Sequence, residues 1–171
     1  MKRKKESERK LVFIINNNPC ASVEANIGSA SGLDSIRSTA NILRSLKESG
    51  YSVSAPEDGE ALINAFMERK AYSEFRWTSV NDIVTAGGVI YRMSVDEYNE
   101  YFRMLPEKVQ NDVLDTWGEP PGKSMVFEND IIITGLRCGN AIVAVQPKRG
   151  CYGSKCDGTV CKILQIGRAH V

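Results

Sequence analysis

LVFIIN, residues 11–16, is a short apolar run rich in β-branched side chains, which is typical of a buried strand. A loop rich in Gly, Ser and Ala follows over residues 17–32. Apolar residues at helical spacing come next, at Ile36, Ala40, Leu43 and Leu46. Asp34 is the expected N-cap of this helix, and Gly50 is its expected stop. The sequence therefore predicts a strand, a glycine-rich loop and a helix in succession.

The rest of the chain extends this beginning into an α/β unit. Residues 51–53 are predicted to form a second strand and residues 58–70 a second helix, an order that favours parallel strands. Two short helices are predicted at residues 95–101 and 106–117, and Pro106 suits the first turn of the second one. Strands are predicted at residues 125–127, 131–133 and 141–145. The predicted fold is an α/β, parallel-sheet Rossmann-like unit with a helical insert and a small strand-rich C-terminal part.

The two ends differ from the central segment, residues 11–164. Residues 1–10 are a basic run broken by Glu6 and Glu8, as expected for a solvated tail or the remnant of an upstream element. Residues 165–171 continue no earlier pattern, and their last six, IGRAHV, resemble a translated sequencing adapter, so a non-native tail is expected. The single His of the chain, His170, lies in this tail.

Composition argues against several classes of protein. A net charge of +1 does not indicate nucleic-acid binding, and no apolar stretch is long enough to span a bilayer. The expected compartment is the cytoplasm, where the five Cys residues would be free thiols.

Two glycine-containing segments imitate anion-binding loops. NIGSASG at residues 26–32 lies between a predicted strand and helix, where an anion could bind, but a tight turn for close packing explains the glycines as well. GEPPGKS at residues 118–124 imitates a P-loop. Its spacing is one residue short, its prolines lack N–H donors, and a helix precedes it where a strand should. We therefore reject a nucleotide site there.

Two further segments could bind a ligand. Cys151, Cys156 and Cys161 are equally spaced and could ligate a metal, but a fourth ligand is missing unless Cys138 supplies it, and free thiols are the default. Gln146 and Arg149 follow the last predicted strand, and ligands of open α/β sheets bind outside the carboxyl ends of strands. The large aromatics are expected to be core or interface residues; they are Trp77, Tyr101 and Trp117.

As a set, six motifs resemble the large subunits of cobaltochelatase and of its relative magnesium chelatase, in the family's order. They are NIG at residues 26–28, GLD at 32–34, LKESGY at 46–51, WGEPPG at 117–122, GLRCGN at 135–140 and VQPKRG at 145–150. The helical insert before WGEPPG resembles the cobalt branch. Ala144 stands where the family usually has Gly, and the cobalt branch would be expected to continue after residue 164 with a His-Asp-Pro run.

The resemblance implies a fragment of an enzyme that inserts Co²⁺ into hydrogenobyrinic acid a,c-diamide during cobalamin biosynthesis. It implies that separate AAA+ subunits hydrolyse ATP, and that this segment binds no cofactor and is inactive alone. The tetrapyrrole is expected to contact Asn26, Gly28, Asn140, Gln146 and Arg149, and no catalytic residue is assigned. Alternatives are a magnesium chelatase H-type subunit, a non-catalytic α/β module that docks AAA+ partners, and a small metal-binding protein built on the Cys loop.

Overall fold

The computed structural model describes residues 4–17, 27–28, 30–74, 77–122 and 124–146. A short 3-10 helix, Glu6–Glu8, precedes the first strand. The elements that follow are β1 (Leu11–Ile15), α1 (Ser35–Glu48), α2 (Gly59–Glu68), α3 (Val80–Ala86), β2 (Val89–Ser94), α4 (Val95–Arg103), α5 (Glu107–Trp117), β3 (Val126–Phe127), β4 (Asp130–Cys138) and β5 (Ala141–Val145).

The strands form one sheet in the order β1-β5-β4-β2, with β3 paired to β4. β1 and β5 are parallel, in a register that runs from Leu11 opposite Ala141 to Ile15 opposite Val145. The α/β class is therefore confirmed. The sheet is nevertheless mixed, because β4 runs antiparallel to both β2 and β5. Gly139 and Asn140 alone join β4 to β5, and so short a connection links only antiparallel strands.

Residues 51–53 do not form the predicted second strand. Val53 makes only an isolated antiparallel bridge to Gly139. Its side chain is nevertheless buried in the core, which accounts for the apolar pattern without a strand. β5 occupies the position beside β1 in the sheet. Residues 51–53 therefore do not pair with β1 as a strand.

Two hydrophobic cores lie on either side of a junction in β4. The larger core packs α1 and α2 against β1 and β5, and its fully buried side chains include Leu43, Leu62 and Phe66. The smaller core contains Val80, Ile83, Met125 and Ile132. β4 contributes to both, because its first residues pair with β2 and its last residues, from Gly135 onward, pair with β5.

The ends of α1 follow the sequence prediction. Asp34 Oδ1 accepts a hydrogen bond from the Arg37 N–H at 2.9 Å, which satisfies a donor of the first turn. Gly50 has φ +87°. Its N–H donates to the Lys47 carbonyl, and the Tyr51 N–H donates to the Leu46 carbonyl. These two bonds form a Schellman motif, in which glycine adopts the left-handed conformation without a steric penalty.

Lys70 is expected to be a site where glycine stabilises the protein. It occupies the same left-handed position after α2, with φ 48°, although it has a side chain. Lys70→Gly should raise the free energy of unfolding by about 1 kcal/mol, because the steric cost of this conformation disappears. The lost exposed pair with Asp82, at 3.8 Å, offsets little. Lys70→Ala is the control, because it removes the ion pair but keeps the backbone strain. Urea unfolding should show that this variant is no more stable than the parent chain.

Candidate functional site

The carboxyl ends of β1 and β5 bring two of the predicted site residues to one edge of the sheet. The Gln146 N–H donates to the Ile15 carbonyl at 2.9 Å, which extends the β1–β5 ladder by one bond. The Gly28 N–H donates to the carbonyl of the next residue, Asn16, also at 2.9 Å. Gln146 is thus anchored to the last residue of β1 and Gly28 to the residue that follows it. This carboxyl edge is where ligands bind in α/β sheets.

Gly28 is held tightly between the end of β1 and the first turn of α1. Its φ is +77°, and a Cβ there would lie 2.6 Å from Ser35 Oγ and 2.9 Å from Ile36 Cδ1. The Ser35 hydroxyl donates to the Gly28 carbonyl. The positive φ and the lack of space for a Cβ both require glycine. The loop therefore packs closely against α1 at this residue, as one of the two interpretations of its glycines predicts.

An anion site at the start of α1 gains no support from the described residues. The Gly28 N–H is already used by Asn16, and the first turn of α1 is capped by the Asp34 carboxylate. A carboxylate at a helix N-terminus occupies the position that a bound anion would need. The absence of a side chain at Gly28 is therefore explained by packing against α1, and its contact with a tetrapyrrole stays a prediction.

Asn140 lies at the opposite end of β5 from Gln146. Its side-chain Nδ2 donates to the Ser7 carbonyl at 2.8 Å, and its N–H donates to the Ser52 carbonyl at 2.8 Å. Five strand residues separate it from Gln146, which places the two roughly 20 Å apart. The structure therefore does not bring Asn140 together with Gly28 and Gln146, and it gives Asn140 a role in joining the N-terminal segment to the sheet.

Several predicted residues lie outside the described residues. They are Asn26, Arg149, Cys151, Cys156 and Cys161. Their roles stay predictions. Within the described ranges, no group of three or more His, Cys, Asp or Glu side chains is arranged to hold a metal ion.

Cys138 is poorly suited to be the fourth metal ligand. It belongs to the larger core, and burial raises the pKa of its thiol, with a smaller opposing effect from the Arg69 charge. Metals and alkylating agents react with the thiolate. We therefore expect iodoacetamide at pH 8 to modify Cys138 at least about tenfold more slowly in the folded chain than in urea. Peptide mass spectrometry measures both rates, and equal rates would show that the thiol is accessible.

Two of the aromatic residues expected in the core or at an interface, Trp77 and Tyr101, lie at the surface. Trp77 and Tyr101 are 85% and 56% exposed, so neither is a core residue. Tyr91 lies 3.5 Å from a Glu97 carboxylate oxygen, and the negative charge of Glu97 raises the pKa of the Tyr91 hydroxyl. The spacing of Tyr91 and Glu97 across the start of α4 carries no sequence signal, because one residue lies on a strand and the other on a helix.

No helix in the described part of the chain is long and apolar enough to cross a membrane.

Comparison with known proteins identifies the family. The model of the CobN/magnesium chelatase family matches residues 1–164. An uncharacterised protein of Methanocaldococcus jannaschii is 53% identical over 96% of this chain and 14% of its own length. The aerobic cobaltochelatase subunit CobN of Pseudomonas aeruginosa is 30% identical over 86% of this chain and 11% of its own. The chloroplastic magnesium-chelatase subunit ChlH of Oryza sativa subsp. indica is 31% identical over 90% and 10%.

The fold agrees with these relationships. The catalytic subunit of cobaltochelatase from Mycobacterium tuberculosis matches 85% of this chain with a TM-score of 0.65 and 28% identity. The match covers 11% of that subunit, and the chain spans between a tenth and a seventh of the length of the relatives described above. The chain belongs to the CobN/magnesium chelatase family.

Proposed function

We propose that this chain is part of the tetrapyrrole-binding large subunit of an ATP-dependent cobaltochelatase. The observation that carries the proposal is the match in fold and sequence to a cobaltochelatase catalytic subunit over 85% of the chain. The substrate would be hydrogenobyrinic acid a,c-diamide, into which Co²⁺ is inserted during cobalamin biosynthesis. The carboxyl edge formed by Gly28 and Gln146 would be one wall of the tetrapyrrole cleft.

Metal insertion requires that the ring is held, that cobalt loses water, and that a base removes the pyrrole protons. Gln146 suits the first task, because its amide both donates and accepts hydrogen bonds and the ring carries carboxylate and amide side chains. Arg149, three residues further on, would pair with a ring carboxylate through two parallel hydrogen bonds. The base would come from another part of the subunit.

ATP hydrolysis would belong to separate AAA+ subunits. The order of elements around residues 118–124 supports this division, because α5 precedes the segment and β3 follows it. A P-loop instead requires a strand before the loop and a helix after it. The rejection of a nucleotide site at this segment is therefore consistent with the fold.

Identity alone does not separate cobalt from magnesium, because the two named relatives are 30% and 31% identical to the chain. The helical insert, α4 and α5, is the feature that favours the cobalt branch. A matched pair of chimeras tests this preference. Residues 11–164 would replace the matched stretch of CobN from P. aeruginosa, and separately that of ChlH from O. sativa.

Each chimera would be assayed with the other subunits of its own enzyme, ATP and its own tetrapyrrole. We expect the CobN chimera to insert Co²⁺ at a rate within about tenfold of the parent rate. The ChlH chimera should lose more of its Mg²⁺ insertion rate, since misplaced binding groups alone lower a rate about a hundredfold. The reverse order would assign the segment to the magnesium branch.

A further inference from the structure

The sheet has one face covered by helices and one that the described residues leave partly open. Leu11, Phe13 and Ile15 of β1 point to the larger core. Val12 and Ile14 point the other way, and they are 62% and 69% exposed. Side chains alternate along a strand, so this second set forms a continuous row on the opposite face.

The neighbouring strands extend this row into an apolar surface, which we call the Val12/Ile14 face. Ile142 lies opposite Val12 in the β1–β5 register, and Ala144 lies opposite Ile14. Ile142 is half-buried and Ala144 is buried. On the next strand Arg137 lies beside Ile142, and its guanidinium donates to the Ile90 carbonyl of β2. The face is therefore covered toward β2 and open at its β1 side.

Parallel strand pairs are normally buried on both faces. In the part of the chain that the structure describes, the outer edge of β1 is also unpaired, because β1 is the terminal strand of the sheet. The Leu11 N–H points to β5, where it donates to the Asn140 carbonyl, so by alternation the N–H groups of Val12 and Ile14 point outward. Among the described residues, the isolated bridge between Asn17 and Ile27 lies beyond the end of β1, and no strand pairs with these groups.

The handedness of strand connections indicates what covers the open face. β5 already has β1 and β4 as neighbours, so the next parallel strand would have to add outside β1. The step from β5 to that added strand would cross the sheet in the direction opposite to the step from β1 to β5, whose connection includes α1 and α2. Because such crossovers are right-handed in nearly all cases, its helix would lie on the opposite face, over Val12 and Ile14. The named relatives are at least about sevenfold longer than the matched stretch and can supply such a segment.

We propose that the Val12/Ile14 face is the packing surface for an amphipathic helix that belongs, in the full-length chelatase subunit, to the polypeptide that follows the stretch matched by this chain. The helix presents aliphatic side chains to Val12, Ile14 and Ile142, and an acidic residue toward Arg137. The proposal rests on family membership and on the described fold, and it does not depend on which metal or tetrapyrrole is used.

Thiol footprinting tests the proposal. Ile14→Cys is placed in the full chain and in the M. jannaschii relative whose matched stretch is replaced by residues 4–146 of this chain. Asn41→Cys, on the exposed face of α1, is the matched control. Maleimide labelling is followed at each position by peptide mass spectrometry. We expect the thiol at position 14 to react at least about tenfold more slowly in the longer protein, and the thiol at position 41 to react equally in both.

Hydrogen exchange of the Val12 and Ile14 amides, measured without a substitution in the same two proteins, provides a second readout. Protection at least about tenfold greater in the longer protein supports the proposal. Equal labelling and equal exchange in the two proteins overturn it. Slow labelling of position 14 in the full chain by itself also overturns the proposal. If the labelling rate then depends on protein concentration, a second copy covers the face. If the rate does not depend on concentration, the chain's own residues cover it.

Discussion

Gly135→Val is expected to lower the free energy of unfolding by about 3 kcal/mol, because overpacking against fixed backbone leaves little room for relaxation. Gly135 lies at the junction in β4, where pairing changes from β2 to β5. A Cβ at this position would lie 2.7 Å from the Val143 carbonyl oxygen, 3.1 Å from Ala144 Cα and 3.0 Å from Ile90 Cδ1. Two of these atoms belong to the backbone of β5 and cannot move without breaking the sheet.

Urea unfolding followed by circular dichroism measures this cost. Ile133→Val, in the same strand, is the matched control and should cost about 1 kcal/mol. If Gly135→Val costs no more than the control, β4 and β5 lie further apart at this point than the distances to Val143 and Ala144 require.

Gly28→Ala is expected to cost about 3 kcal/mol, the sum of a left-handed conformation and a steric clash. Gly28 has φ +77°, and its added Cβ would lie 2.6 Å from Ser35 Oγ. Since this residue sets the distance between β1 and the start of α1, the substitution should also deform the carboxyl edge that Gln146 shares.

Gly32→Ala separates the two contributions. Gly32 has a similar φ of +71°, but nothing lies within 4 Å of an added Cβ. It should therefore cost only about 1 kcal/mol, the price of the conformation alone. Equal destabilisation by the two substitutions, measured by urea unfolding, would show that Gly28 does not pack against α1.

The local features of the fold could be predicted from the sequence, and the long-range pairing could not. Asp34 and Gly50 mark the ends of α1 because capping depends on neighbouring residues alone. Val53 was assigned to a strand because burial and strand formation produce the same short apolar pattern. Its bridge partner is Gly139, in the turn between β4 and β5, nearly ninety residues further along the chain.

No helix is predicted at residues 80–86, although the signals for one are present in the sequence. Ser79 and Asp82 form a capping box in which each side chain accepts from the other's backbone N–H. Gly87 ends α3 in the left-handed conformation. The missed strand β2 follows directly, and its exposed Tyr91 and Arg92 interrupt the alternation that would have identified it.

The candidate site was predicted in part, for a similar reason. Gly28 and Gln146 follow strands that are parallel and adjacent, so one edge brings them together. Asn140 precedes β5 and Gln146 follows it, and an extended strand necessarily separates residues at its two ends. Asn140 and Gln146 are both predicted as site residues because each lies in a family motif. The length of β5 keeps the two residues apart.

Binding of the corrin precursor by the full chain tests the central claim most directly. Hydrogenobyrinic acid a,c-diamide would be titrated into the chain while tryptophan fluorescence and the tetrapyrrole absorbance are followed. We expect Gln146→Ala combined with Arg149→Ala to weaken binding at least about tenfold, the loss expected for removing one charged hydrogen-bonded contact. Asn41→Ala, on the exposed face of α1, should leave the affinity unchanged. Unchanged affinity in the folded double variant would contradict the assignment of the carboxyl edge to the tetrapyrrole cleft.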